Sequence, residues 1–206
     1  MDRRELLKMV ALLTGGAVIG SEFFLSGCTA GGKAELGFTP GNIALLDEVG
    51  ETILPATSSP GAKAAQVGEF MKVYVTDCYP QASQDAFIKG INDLDADCKK
   101  LHSKSFMDCT PEQRHEFLLS LEKQSKEFNT GPQEEDKKNR AELKAKNKEY
   151  DFVAKPRHYY TMMKQLTLLG FFTSKVGATQ ALRHIPVPGK YDGAYSYKKG
   201  DKAWAE

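Results

Sequence analysis

The sequence predicts an all-α protein, a small helical bundle of about five helices that ends in an extended tail rich in Gly, Pro and Tyr. Three observations lead there. Across residues 43–128 and 156–174 apolar side chains recur at three- and four-residue spacing, which gathers them on one face of a helix. Thr110-Pro111-Glu112-Gln113 reads as a helix start, with Thr at the cap, Pro at the first helical position and Gln three residues past the cap. Between periodic segments stand Pro and Gly, as in Leu54-Pro55-Ala56-Thr57-Ser58-Ser59-Pro60-Gly61, where two prolines and a glycine fix an ordered turn.

The elements follow in order. Ile43, Leu46, Val49 and Ile53 mark a first helix that Pro55 stops, and Val67, Phe70, Met71, Tyr74, Val75 and Cys78 mark a second. A third starts near Ser83 and carries Phe87, Ile91, Leu94, Cys98 and Leu101, so Cys98 faces the core. The fourth follows Thr110 with Phe117, Leu118, Leu121 and Phe128. Residues 131–151 are charged and almost free of apolar side chains; they cannot bury a face and read as an exposed connector, either a solvated helix or a mobile loop. The last helix, from about Pro156 to Ser174, is apolar on more than one side, which suits a central helix or one that also meets a partner. Phe171 and Phe172 are adjacent there, so their side chains diverge by ~100° and only one can join a core stripe. The other, with Val176 and the tail aromatics Tyr191, Tyr195 and Trp204, is expected at a partner interface. A tail over 183–206 that wraps its own domain is the alternative.

Ahead of the bundle lies an export address. Arg3, Arg4 and Lys8 precede the apolar run Met9 to Gly20, which is too short to span ~30 Å of hydrocarbon and fits a signal peptide over 1–27. Arg3-Arg4-Glu5-Leu6-Leu7-Lys8 resembles the twin-arginine signal, with Asp2 and Leu6 departing from it, and the glycines at 15, 16 and 20 keep the apolar run mild. General secretion is the other route. Leu25-Ser26-Gly27-Cys28 resembles a bacterial lipobox, which would make Cys28 the acylated first residue of the mature chain. Two or more acyl chains hold a protein stably on a membrane surface without spanning it. Residues 28–40 then serve as a flexible tether, and 41–206 form the domain.

Chemistry of its own is hard to find in this chain. The four histidines, His102, His115, His158 and His184, lie apart with no ligand spacing, and neither a dinucleotide fingerprint nor a Gly-x-Ser-x-Gly elbow is present. Asp93, Asp95 and Asp97 alternate along a helix and read as surface charge. A net charge of +1 offers no concentrated basic surface for nucleic acid. An exported chain meets an oxidising compartment, where Cys78, Cys98 and Cys109 leave one disulfide and one odd thiol. The short connection between the third and fourth helices favours Cys98 with Cys109. Cys78 with Cys109 would require the 102–109 loop to double back.

Two long stretches carry a resemblance. Leu54 to Ala65 (LPATSSPGAKAA), with Val67 and Phe70 after it, and Leu166 to Ala178 (LTLLGFFTSKVGA), continuing to Pro186-Val187-Pro188-Gly189, are similar to the two end motifs of the gluconate 2-dehydrogenase subunit 3 family. Neither motif is catalytic, and the charged residues 131–151 between them belong to neither, so the resemblance does not extend to them. The resemblance implies a non-catalytic accessory subunit that holds no cofactor. Its partner would be a glucose-methanol-choline-type flavoprotein, which carries FAD and passes electrons to a c-type cytochrome with its haem. The small subunit exports that enzyme folded, and Cys28 would tether it to the periplasmic face of a bacterial membrane. The competing expectation is a free-standing helical lipoprotein that binds another envelope component.

Overall fold

Five α-helices make up the domain in a computed structural model, which describes residues 37–205 apart from Pro188 and Tyr191. Arg3, Arg4, Cys28 and Tyr191 therefore lie outside the described residues. The helices are α1 (Pro40–Ile53), α2 (Val67–Cys78), α3 (Gln81–His102), α4 (Pro111–Ala145) and α5 (Tyr159–Thr173). The described residues contain no strand, so the all-α prediction holds. Helix α5 packs against each of the other four and is the centre of the bundle.

Local chemistry explains the helix starts. Thr39 accepts the N–H of Asn42 and precedes Pro40, while Thr110 and Gln113 close a reciprocal capping box at α4. The buried faces are those the spacing marks: Leu46 and Val49 of α1, Val67, Met71 and Val75 of α2, Phe87, Ile91 and Leu94 of α3, Leu121 of α4, and Met163 and Leu166 of α5. Each such side chain contributes about 1.5 to 3 kcal/mol on leaving water. Helices α3 and α5 meet at Gly90, where a Cβ would lie 2.2 Å from the Cβ and Cγ of Tyr159. Only glycine admits that ring.

Polar side chains of α1 fix the turn that follows it. Glu51 accepts the N–H groups of Ala56 (2.8 Å) and Lys63 (2.9 Å), closing the loop 54–61 from both ends. Its carboxylate fills the space beside Gly61, where a Cβ would meet Oε1 at 2.3 Å. Asp47 accepts the N–H of Gly68 at the start of α2 (2.8 Å), and Glu48 pairs with Lys63 (2.8 Å) and with Arg114 of α4. The Lys63 hydrogen bond, aided by the Arg114 charge, holds the Glu48 carboxyl below its ordinary value against the opposing effect of burial. A lowered folded value means this pin contributes fully above the unfolded carboxyl range and is lost as pH falls through the folded value.

Several expectations need correction. The packed chain begins before residue 41, because Phe38 is buried against Phe87 and Thr39 is the α1 cap, so the tether cannot extend to residue 40. Residues 131–145 take the solvated-helix form, continuing α4 through Pro132, but one of them does turn inward: Asp136 is 6 % exposed. Its Oδ1 accepts the N–H of Lys155, and Asn129 accepts the N–H of His158. These bonds hold 155–158 extended, which is why α5 starts at Tyr159 and not at Pro156. Leu101 and Phe128, expected on apolar faces, are exposed; on α4 the buried side at this level is taken by Ser125 and Asn129, and Phe128 lies beside it, edge to face with His158. Asp95 is more than surface charge: besides pairing with Lys99, it accepts the N–H of Phe106 and so anchors the loop between α3 and α4.

Candidate docking surface

Helix α5 divides its two phenylalanines as their angular separation requires. Phe171 is 2 % exposed and belongs to the core, whereas Phe172 is 42 % exposed. Leu168 and Leu169 are exposed as well, and the three fall within an arc of ~100° on the helix. An apolar stripe thus faces outward on the helix that is otherwise the centre of the fold. Ser174 leaves helical backbone angles, so Val176 opens a separate turn that runs into Gly177–Ala181, and its side chain is half-buried instead of extending the stripe.

The tail turns back on its own start. Arg183 and Trp204 form an isolated parallel bridge, with the Arg183 N–H donating to Ala203 (2.8 Å) and the Ala205 N–H to Arg183 (2.7 Å). The Arg183 guanidinium lies 4.4 Å from the Trp204 ring and 5.5 Å from that of Tyr195, and the two rings meet edge to face. Both aromatics keep large exposed faces. Residues 175–205 hold six basic and two acidic side chains, so this end of the molecule offers aromatic surface amid positive charge.

Between α4 and α5 runs a cleft of about 420 Å³ whose wall includes Glu122, Lys126, Asn129, Tyr160, Lys164 and Leu168. Glu122 pairs with both lysines at 3.1 Å, and these bonds, Lys164 first, hold its carboxyl below the ordinary value. Burial, with Glu122 adding to it, pushes the Tyr160 phenol up to about 12. The cleft's charges are spent on one another, which leaves it apolar and amide surface, continuous with the stripe through Leu168. Among the described residues no group of three or more His, Cys, Asp or Glu could hold a metal ion, and no helix is long and apolar enough to cross a membrane.

Two of the three described cysteines meet. Cys98 and Cys109 are buried with their sulfurs 3.5 Å apart, while Cys78 is exposed at the end of α2. Burial, reinforced by the neighbouring thiol, pushes Cys98 up to about 12. The loop that brings Cys109 back is held by Asp95, and by Arg114 donating to the carbonyls of Phe106 (2.9 Å) and Met107 (2.7 Å). Nothing in the local residue pattern singles out Arg114 for that task.

With this geometry in place, comparison with known proteins gives one match. A family model described as gluconate 2-dehydrogenase subunit 3 matches residues 40–189, from the first residue of α1 to the tail. Searches of curated proteins and of solved structures return no match. The match takes in both sequence motifs and also spans the charged residues 131–151, expected to fall outside the family. The fold brings the motifs together: the short helical turn Ala62–Ala65 of the first packs on α5, which carries the second.

Proposed function

Since the chain belongs to the gluconate 2-dehydrogenase subunit 3 family, we propose that it is the non-catalytic accessory subunit of a membrane-bound flavoprotein complex. It binds a glucose-methanol-choline-type large subunit that carries FAD, exports it folded, and tethers it by Cys28 to the periplasmic face of the membrane, within reach of a c-type cytochrome. The observation that carries this reading is the family match over nearly the whole described domain. The exposed α5 stripe supports it, since a monomeric domain gains nothing from an outward apolar row on its central helix. Affinity capture of the tagged full chain from its native membrane tests it. A co-purifying large chain with flavin absorbance is the expected result. Capture of other envelope proteins without flavin would favour a free-standing lipoprotein and overturn the proposal.

Export bears on the sulfurs. In an oxidising compartment Cys98 and Cys109 pass two electrons and two protons to a protein disulfide and become linked, which closes the corner between α3 and α4. A bridge over so short a loop is worth roughly 2 to 3 kcal/mol. Reduction should therefore lower the melting temperature by about 4 to 12 °C for a domain of this size. Peptide mapping of the exported protein under non-reducing conditions is expected to recover the 98–109 pair, with Cys78 outside it. Recovery of Cys78 bonded to Cys109 would refute the assignment.

A further inference from the structure

The distal half of α4 and the extended segment 152–158 that returns along it enclose a cleft of about 270 Å³, whose lining residues belong to neither family motif. Its wall includes Gln133, Asp136, Lys137, Arg140, Phe152 and Arg157. Three cations thus face one carboxylate, and both oxygens of that carboxylate are taken: Oδ1 by the Lys155 N–H (3.0 Å) and Oδ2 by Arg157 Nη2 (2.5 Å). Arg157 Nη1 is buried with no hydrogen-bond partner among the described residues. Arg140 stacks its guanidinium 4.5 Å from the Phe152 ring centroid, which fixes the plane of its fork but uses none of its N–H donors. Lys137 makes no ion pair among the described residues.

Unspent donors on a guanidinium already held in place mark a site that lacks its acceptor. The cleft's three cations outnumber its one carboxylate by two, and an anion seated among them offsets their mutual repulsion. We propose that this cleft binds a phosphate-type oxyanion between Arg140, Arg157 and Lys137. A carboxylate satisfies one fork, whereas a phosphate monoester presents enough oxygens to meet two guanidiniums and an ammonium at once. The volume leaves room for the group the phosphate esterifies. That group belongs either to a lipid headgroup or to a free phosphate monoester. The proposal does not depend on a flavoprotein partner.

Calorimetry on the purified full chain, titrated with inorganic phosphate against sodium chloride at equal ionic strength, tests the site. Saturable heat with phosphate alone is expected, weakened about tenfold or more in Arg140→Gln, with Arg140→Lys retaining part of it because it keeps the charge without the fork. Lys137→Gln, at an exposed position, should weaken binding without altering helicity. Equal heats with phosphate and chloride, or unchanged binding in both Arg140→Gln and Lys137→Gln, would overturn it. Soluble dihexanoyl phosphatidic acid then separates the sources: binding at least about tenfold tighter than inorganic phosphate identifies a lipid headgroup, and equal or weaker binding a free phosphate.

Discussion

Replacing Arg3 and Arg4 together by lysine is expected to leave the chain in the cytoplasm, and to strand the flavoprotein there with it. The substitution keeps both positive charges, so a pathway that reads only charge would be indifferent to it. Twin-arginine export reads the guanidinium pair itself, whose planar fork of donors lysine cannot reproduce. Under the proposed function the partner would depend on the same pair, because a folded, FAD-loaded enzyme cannot thread a channel built for unfolded chains. Cell fractionation, with flavoprotein activity and the small chain followed separately, makes the measurement. Normal export of the double-lysine variant would remove the twin-arginine assignment and return the chain to general secretion. Cys28→Ser separates anchoring from transport: lipid labelling should vanish while the protein still leaves the cytoplasm, and persistent labelling would remove the anchor.

Helices were legible in this sequence because each carries its own local signature. The α4 start shows it best, since Thr110 and Gln113 make the hydrogen bonds their spacing implies. What local pattern does not encode is which polar side chain turns inward. In a run as charged as 131–145, Asp136 looks like its neighbours, yet it is the one that Lys155 and Arg157 bury by returning across it from about twenty residues away. The anchoring role of Asp95 is hidden for the same reason: its partner is the Phe106 N–H, eleven residues on, and alternation with Asp93 and Asp97 reads only as surface charge. At the candidate surface, adjacency alone establishes that Phe171 and Phe172 diverge. Which of them is buried depends on where α5 sits among four other helices. The Arg183 and Trp204 pairing is likewise a contact between residues far apart in the chain, in a segment without any period to announce it.

Phe172→Asp is expected to release the flavoprotein while leaving the small chain folded. Burying a phenylalanine at an interface contributes about 1.5 to 3 kcal/mol, and an unpaired carboxylate in its place adds a desolvation cost, so capture should weaken about a hundredfold or more. Folding should survive because the ring is 42 % exposed and the helix keeps its buried side. Phe171→Asp is the contrast, since it puts a charge at a position 2 % exposed and should unfold the bundle. Removal of the chain after Pro188 tests the tail by itself. It deletes Tyr195 and Trp204 and frees Arg183, but it takes no residue from any of the five helices, so helicity should persist while capture falls further. Circular dichroism with quantitative capture from the native membrane reads both effects together. A Phe172→Asp chain and a truncated chain that each keep their helicity, melting temperature and full complement of flavoprotein would place the partner elsewhere, because neither the α5 stripe nor the aromatic tail would then be in contact with it.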